Sequence, residues 1–239
     1  MVTNFFISYC AINGNFSPIL HAKNIFNGMK LFSEEKKTFE ETPLKNAKLF
    51  YCENFWMKAE ADNFFKILQE ELFWQQGAIK IFGKNILEPR LTAWYADEGK
   101  TYTYSGVKRE PLAWHPILKK IKTDIELSTE NLTNLPLELN SVLGNYYRDG
   151  NDSMGYHADN EKELGVNPII VSVNFGASRR FLLKHRTEKN LKSEILLTHG
   201  SVLIMAGEMQ HHWLHAIPKS TQIIKPRINL TFRNIKLNV

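Results

Sequence analysis

The chain has 239 residues, 43% hydrophobic and 23% charged, and its 30 Lys+Arg against 25 Asp+Glu give a formal net charge of +5. That length buries roughly 70–75% of the unfolded surface in a core needing no disulfide staples. The composition excludes a disordered chain, and no apolar run approaches the roughly 20 residues of a membrane span. A mild basic excess permits a polyanionic partner without demanding one.

No basic stretch precedes Phe5-Phe6-Ile7, so a signal peptide is not expected. The two cysteines, Cys10 and Cys52, match no metal or redox spacing, which fits a reduced intracellular protein. Residues 1–45 lack clear periodicity and end in the charged run Lys36-Lys37-Thr38-Phe39-Glu40-Glu41-Thr42-Pro43. They are expected to form an extension, with one domain over 46–239. Ala59 to Gln76 predicts a helix, since Ala61, Phe64, Phe65, Leu68, Leu72 and Phe73 fall on one face and Gly77 follows. Pro116 to Ile125 predicts a second, with Leu118, Ile121 and Ile125 turned inward.

From about Leu137 the period changes to two. Val142 to Tyr147 reads as a strand before the turn signal Asp149-Gly150. Ile169 to Phe175, Arg180 to Lys184, Ile195 to Leu197, Ser201 to Met205 and Ile228 to Arg233 follow as short strands. Helices early and strands late predict a mainly β, two-sheet fold buttressed by helices.

Two motifs carry chemistry. In an extended segment His157 and Asp159 share a face, roughly 6.6 Å apart, close enough to converge on one ion. An imidazole with a carboxylate suits Fe(II) or Mn(II). The third ligand comes from His199, His211, His212 or His215, and His215 is preferred because it lies in the apolar segment Trp213 to Pro218. The alternative for His215 is a hydrogen-bonded core histidine, and for His157 a loop histidine beside a solvated acid; His199, before Gly200, reads as a turn residue. The second motif is Arg227-Ile228-Asn229-Leu230-Thr231-Phe232-Arg233. It places two guanidinium groups, an amide and a hydroxyl on one face. The arginine Cα atoms are roughly 20 Å apart, and the gap between two inward-reaching forks suits a five-carbon diacid. A solvated face of a surface strand is the other reading. Asn145 and Tyr147 share a face of the earlier strand and can add hydrogen bonds.

Taken together, Asn145-x-Tyr147, His157-x-Asp159, His215 and Arg227-x-Asn229-x-Thr231-x-Arg233 resemble the AlkB family of iron(II)- and 2-oxoglutarate-dependent dioxygenases. The resemblance runs upstream to about Phe73. There Ile81-Phe82-Gly83-Lys84, Pro89-Arg90 and Thr101 to Gly106 look like the DNA-repair branch that prefers double strands. It implies a double-stranded β-helix, or jelly roll. It implies Fe(II) on His157, Asp159 and His215, with 2-oxoglutarate on Asn145, Tyr147, Arg227, Asn229, Thr231 and Arg233 and O2 as oxidant. It implies oxidative demethylation of N-alkylated bases in DNA, releasing formaldehyde, succinate and CO2. Phe82 would wedge into the duplex beside Gly83 and Lys84, Tyr102 and Tyr104 would line the base pocket, and Arg90 would contact substrate. Some repair members carry an acid directly after the metal aspartate; here Asn160 stands there, with Glu161 next, which bears on base preference.

Lys80, Lys84, Arg90, Lys108 and Arg109 are candidate phosphate contacts, and Arg179, Arg180, Lys184 and Arg186 a second basic cluster; either set also reads as a solvated face. The expected partner is alkylated DNA, duplex first, with single-stranded DNA or RNA as alternatives. The expected form is a monomer without membrane association. The same iron chemistry on RNA or protein, and a non-catalytic small-molecule binder on a jelly roll, are the competing functions.

Overall fold

A computed structural model describes the backbone of residues 8–12, 15–19, 37–81, 84–100, 102–104, 107–129 and 137–236, and the side chains outside 8–19, 79–85 and 102–109. Two compact units divide between Lys36 and Lys37. In the first, β1 (Ser8–Ile12) and β2 (Asn15–Ile19) pair antiparallel. The division falls ahead of the 45/46 boundary expected from sequence. The reason is that β3 (Glu40–Glu41) pairs with Phe50 and Tyr51 of β4 (Lys48–Cys52) and so belongs to the main sheet.

After β4 come α1 (Lys58–Glu71), β5 (Ala78–Ile81), β6 (Lys84–Leu87), β7 (Leu91–Ala96), β8 (Tyr102–Tyr104), β9 (Val107–Arg109) and α2 (Pro116–Thr129). The strand-rich half holds β10 (Ser141–Tyr147), β11 (Met154–His157), β12 (Ile170–Gly176), β13 (Arg179–His185), β14 (Lys192–Leu197), β15 (Ser201–Ala206), the short α3 (Met209–His212), β16 (Trp213–Ile217) and β17 (Arg227–Arg233). A seven-stranded sheet runs β3-β4-β15-β12-β17-β10-β7, and a four-stranded sheet runs β11-β16-β13-β14. β5 with β6, and β8 with β9, form two separate hairpins. This is the jelly roll.

Period two decides which face of each strand is buried against what. Val142, Val171, Val173, Val202, Ile204, Ile228, Leu230 and Phe232 join Phe64, Leu68, Leu118, Ile121 and Ile125 of the two helices in one apolar cluster. Trp94, Tyr147, Phe181, Leu183, Leu203, Met205 and Trp213 form a second cluster. In β17 the apolar face therefore turns to the helices. Its polar face is buried as well, with Arg227 2%, Asn229 7%, Thr231 8% and Arg233 7% exposed, so the solvated-strand reading is excluded.

α1 ends at Glu71, before the expected Gln76. Leu72 turns extended, Phe73 N–H donates to the Tyr95 hydroxyl, and Gln75 pairs with Thr92 of β7. The segment trades its last helical turn for bonds to the sheet edge. Phe73, expected on the inward face, is 60% exposed as a result. α2 keeps the expected inward face and runs on to Thr129, whose hydroxyl donates to Ile125 O.

Candidate active site

β11 and β16 are antiparallel neighbours, and His157 sits directly opposite His215. An irregularity between Met154 and His157 shifts the register there, a common device for re-aiming a side chain beside a site. The imidazole centroids come within 4.3 Å. Asp159 follows β11 and joins them: one ligand atom from each of His157, Asp159 and His215 lies within 4.8 Å of the others. Of the four histidines weighed for the third position, His215 alone joins this group. His199 binds Gly176 N–H and faces Asp62, His211 bonds Asn167, and His212 stacks on His185.

The protonation states fit a divalent metal. Burial favours a neutral Asp159, but Arg233 and the imidazoles of His215 and His157 outweigh it and hold its pKa near 2. Burial, with the neighbouring His157, pushes His215 down to about 3. A carboxylate and a neutral imidazole are the forms a metal takes up. His157 Nδ1 lies 2.9 Å from Gly155 O. A carbonyl only accepts, so Nδ1 carries a proton, and the tautomer this selects is the one with Nε2 as the lone-pair nitrogen. Asp159 is held on three sides. Arg233 Nη2 donates to Oδ1, His215 Nε2 lies 3.6 Å from Oδ2, and Asp159 N–H donates to Gln210 Oε1 at 2.9 Å.

The triad lines a cavity that lies against β17. Asn145, Tyr147, Arg227, Asn229, Thr231 and Arg233 line it, together with Leu143, Met154, Phe181, Met205 and Ile217. Arg227 Nη2 donates to Asn174 Oδ1 at 2.6 Å, while Nε and Nη1 have no hydrogen-bond partner among the described residues. Burial pushes this guanidinium down to about 10, against the favourable pull of Tyr147. The guanidinium carbons of Arg227 and Arg179 lie 5.0 and 5.4 Å from the centroid of the Tyr147 ring. A buried cation with donors to spare fits an anionic ligand, and a carboxylate supplies the acceptors.

Phe82 and Gly83, with Thr101, Ser105 and Gly106, lie outside the described residues, while Lys84 opens β6 and Tyr102 and Tyr104 bound β8. Asn160 is exposed and Glu161 half-buried. Arg90 does not reach out to phosphates. It is 3% exposed, lines the cavity, and donates to Asn145 Oδ1 and Glu88 Oε1. Arg179 leaves the second basic cluster for the same reason: at 1% exposure it binds the carbonyls of Asp149, Asp152 and Pro218. Arg180 pairs with Glu194 on the surface. Sequence reasoning missed Ser172, Asn174, Gln210 and Phe181. For Ser172 and Asn174 a signal existed, since they alternate with Val171, Val173 and Phe175 as the polar residues of β17 alternate with its apolar ones.

Two facing sheets with a two-histidine, one-carboxylate triad at one end of a cavity lined by buried arginines define a jelly-roll oxygenase using a mononuclear non-haem metal. Comparison with known proteins gives the family. Residues 48–233 match the 2OG-Fe(II) oxygenase superfamily. The human "DNA oxidative demethylase ALKBH2" is 38% identical over 190 residues, covering 75% of this chain and 70% of that protein. Its bovine counterpart is 38% identical over 188 residues, covering 74% of this chain and 66% of that protein. The human "Alpha-ketoglutarate-dependent dioxygenase alkB homolog 3" is 38% identical over 185 residues, covering 74% and 62%. Among solved structures, that of OsALKBH1 superposes with a TM-score of 0.55 at 16% identity, over 82% of this chain and all of that one, which supports the fold. The chain belongs to the 2OG-Fe(II) oxygenase superfamily and, within it, to the AlkB family, whose members work with Fe(II), 2-oxoglutarate and O2.

Proposed function

We propose that this protein repairs DNA by direct reversal, oxidatively demethylating N-alkylated bases. In this reading His157, Asp159 and His215 hold Fe(II), and Asn145, Tyr147, Arg227, Asn229, Thr231 and Arg233 hold 2-oxoglutarate. The observation that carries it is a carboxylate and two imidazoles converging within 4.8 Å, beside a buried guanidinium with two nitrogens unpartnered among the described residues. Relatives named for DNA oxidative demethylation supply the substrate class.

Iron with the keto acid supplies the oxidation: O2 is consumed, 2-oxoglutarate becomes succinate and CO2, and one oxygen atom enters a C–H bond of the N-methyl group. The chain's own residues bind, orient and exclude water. Arg227 and Arg233 receive carboxylate oxygens through charge-assisted hydrogen bonds. Gly155 O fixes the His157 tautomer and Arg233 fixes the Asp159 carboxylate. Met154, Phe181, Met205 and Ile217 keep the cavity wall apolar. The hydroxymethyl amine then breaks its C–N bond, releasing formaldehyde and restoring the base.

The finer reading concerns substrate and domain. Residues 46–239, with β3 paired onto them, act as the oxygenase domain of a monomer. Arg90, Tyr102, Tyr104, Asn160 and Glu161 surround an extruded base, and Phe82 with Gly83 and Lys84 enters the duplex. Mass spectrometry of N-methylated single-stranded DNA, duplex DNA and RNA oligonucleotides tests the whole. The methyl mass should disappear from DNA only when iron, 2-oxoglutarate and oxygen are all present, with one formaldehyde and one succinate per restored base. Turnover confined to RNA would move the substrate, and methyl loss without iron or keto acid would overturn the mechanism.

A further inference from the structure

A row of polar side chains crosses the middle of the seven-stranded sheet. Asn145 faces Asn229, Asn229 faces Asn174, and Asn174 faces Ser201 as direct register partners on β10, β17, β12 and β15. All four are buried. Buried amides in the centre of a sheet are costly unless every donor finds an acceptor. Here they form a directed chain. Arg90 Nε donates to Asn145 Oδ1 at 2.7 Å, Asn145 Nδ2 to Asn229 Oδ1 at 3.2 Å, and Asn229 Nδ2 to Ser172 Oγ at 2.9 Å and Val173 O at 3.0 Å, with Asn174 Oδ1 farther off at 3.4 Å. Asn174 Nδ2 then donates to Ser201 Oγ at 3.3 Å, and Ser201 Oγ to Thr198 O at 2.7 Å.

Single-role partners orient each amide. The Arg90 guanidinium can only donate and the carbonyls of Val173 and Thr198 can only accept, which sets Asn145, Asn229 and, through the Ser201 hydroxyl, Asn174. The consequence falls on Asn174. Its oxygen must face Arg227, whose Nη2 donates to it at 2.6 Å. A reversed amide would set NH2 against guanidinium N–H. With Nη2 held, the guanidinium cannot swing, and its Nε and Nη1 have no partner among the described residues.

We propose that Asn174 is a positioning residue for the cosubstrate: its amide oxygen, held in place by its Nδ2 bond to Ser201 and from there to Thr198 O, orients Arg227 so that the remaining guanidinium donors meet a carboxylate of 2-oxoglutarate. This rests on the assignment of Arg227 to that cosubstrate. Asn174 itself need not touch the ligand. Its contribution is the entropy and misorientation that Arg227 would otherwise suffer on binding.

The experiment measures 2-oxoglutarate affinity by calorimetry on the full chain loaded with Mn(II), beside turnover with Fe(II) and the thermal midpoint. A lost hydrogen bond to a charged group predicts that Asn174→Ala weakens 2-oxoglutarate about tenfold or more. At saturating cosubstrate kcat stays within about twofold, as does Mn(II) affinity. Asn174→Asp keeps an acceptor for Arg227 and recovers most of the affinity. If Asn174→Ala does not fold, Asn174→Leu, of similar volume and without an acceptor, takes its place with the same thresholds. Affinity within about twofold of the parent in the acceptor-free variant, while Arg227→Ala loses it, overturns the proposal and leaves the Arg227 assignment standing. Unchanged affinity in Arg227→Ala overturns that assignment instead. Parallel losses of kcat, metal affinity and thermal midpoint, unrelieved in Asn174→Asp, reduce Asn174 to a structural residue and also overturn the proposal.

Discussion

His157 and Asp159 stand two residues apart, yet only one of them isolates the chemistry. Asp159 anchors Arg233 and accepts support from Gln210, so its removal disturbs packing as well as any metal. His157 is half-buried at the cavity mouth and its Nδ1 bonds the nearby Gly155 O. His157→Ala should therefore shift the thermal midpoint by only a few degrees, a cost of about 0.5–1 kcal/mol. Mn(II) affinity, followed by the resonance of the free ion, and demethylation should each fall about 100-fold or more. Retained metal affinity would remove His157 from the ligand set. Residue identities were legible where chemistry restricts the side chain: an imidazole two positions from a carboxylate, or two arginines on one strand face. Arg90 and Arg179 were not, because the acceptors that let a guanidinium be buried are supplied by distant segments. Arg179 draws on Asp149, Asp152 and Pro218 at once.

Strands were more legible than the joins between them. The period-two runs from Val142 to Arg233 each became a strand within a few residues of the expected bounds. The cross-strand row Asn145, Asn229, Asn174 and Ser201 could not be read, because register between segments far apart in sequence depends on the turns that bring them together. One such join makes a prediction. Gly176 ends β12 opposite Arg227 with φ +87°, a left-handed conformation, and a Cβ there would lie 2.5 Å from Pro226 O and 2.8 Å from Phe65 Cε2. Gly176→Ala combines backbone strain with a clash against main chain and should cost about 2–4 kcal/mol. Gly99 has a similar φ of +77° but nothing within 4 Å of its Cβ position, so Gly99→Ala should cost only about 1 kcal/mol. Urea unfolding of both variants checks the difference. Equal costs would mean that conformation alone, and not the approach of the 226–227 segment, sets the requirement at Gly176.

The net charge of +5 is mild, and whatever attraction it gives to nucleic acid is common to single and double strands and sensitive to salt. Preference between the two must come from something insensitive to salt. An extruded base leaves a gap only in a duplex, and a side chain that fills it offsets part of an unstacking cost of a few kcal/mol. The reading of Phe82 as that side chain makes a prediction with two parts. Phe82→Ala should lower kcat/KM on methylated duplex DNA at least about tenfold more than on the same methylated strand alone, since about 1.4 kcal/mol corresponds to each factor of ten. That ratio should hold between low and moderate salt even as both rates fall, because stacking releases no counterions. Substituting a phosphate contact would do the opposite, weakening both substrates and flattening their salt dependence. Equal losses on both substrates, or a ratio that collapses with salt, would place Phe82 among the general contacts to nucleic acid and leave duplex preference to another part of the chain.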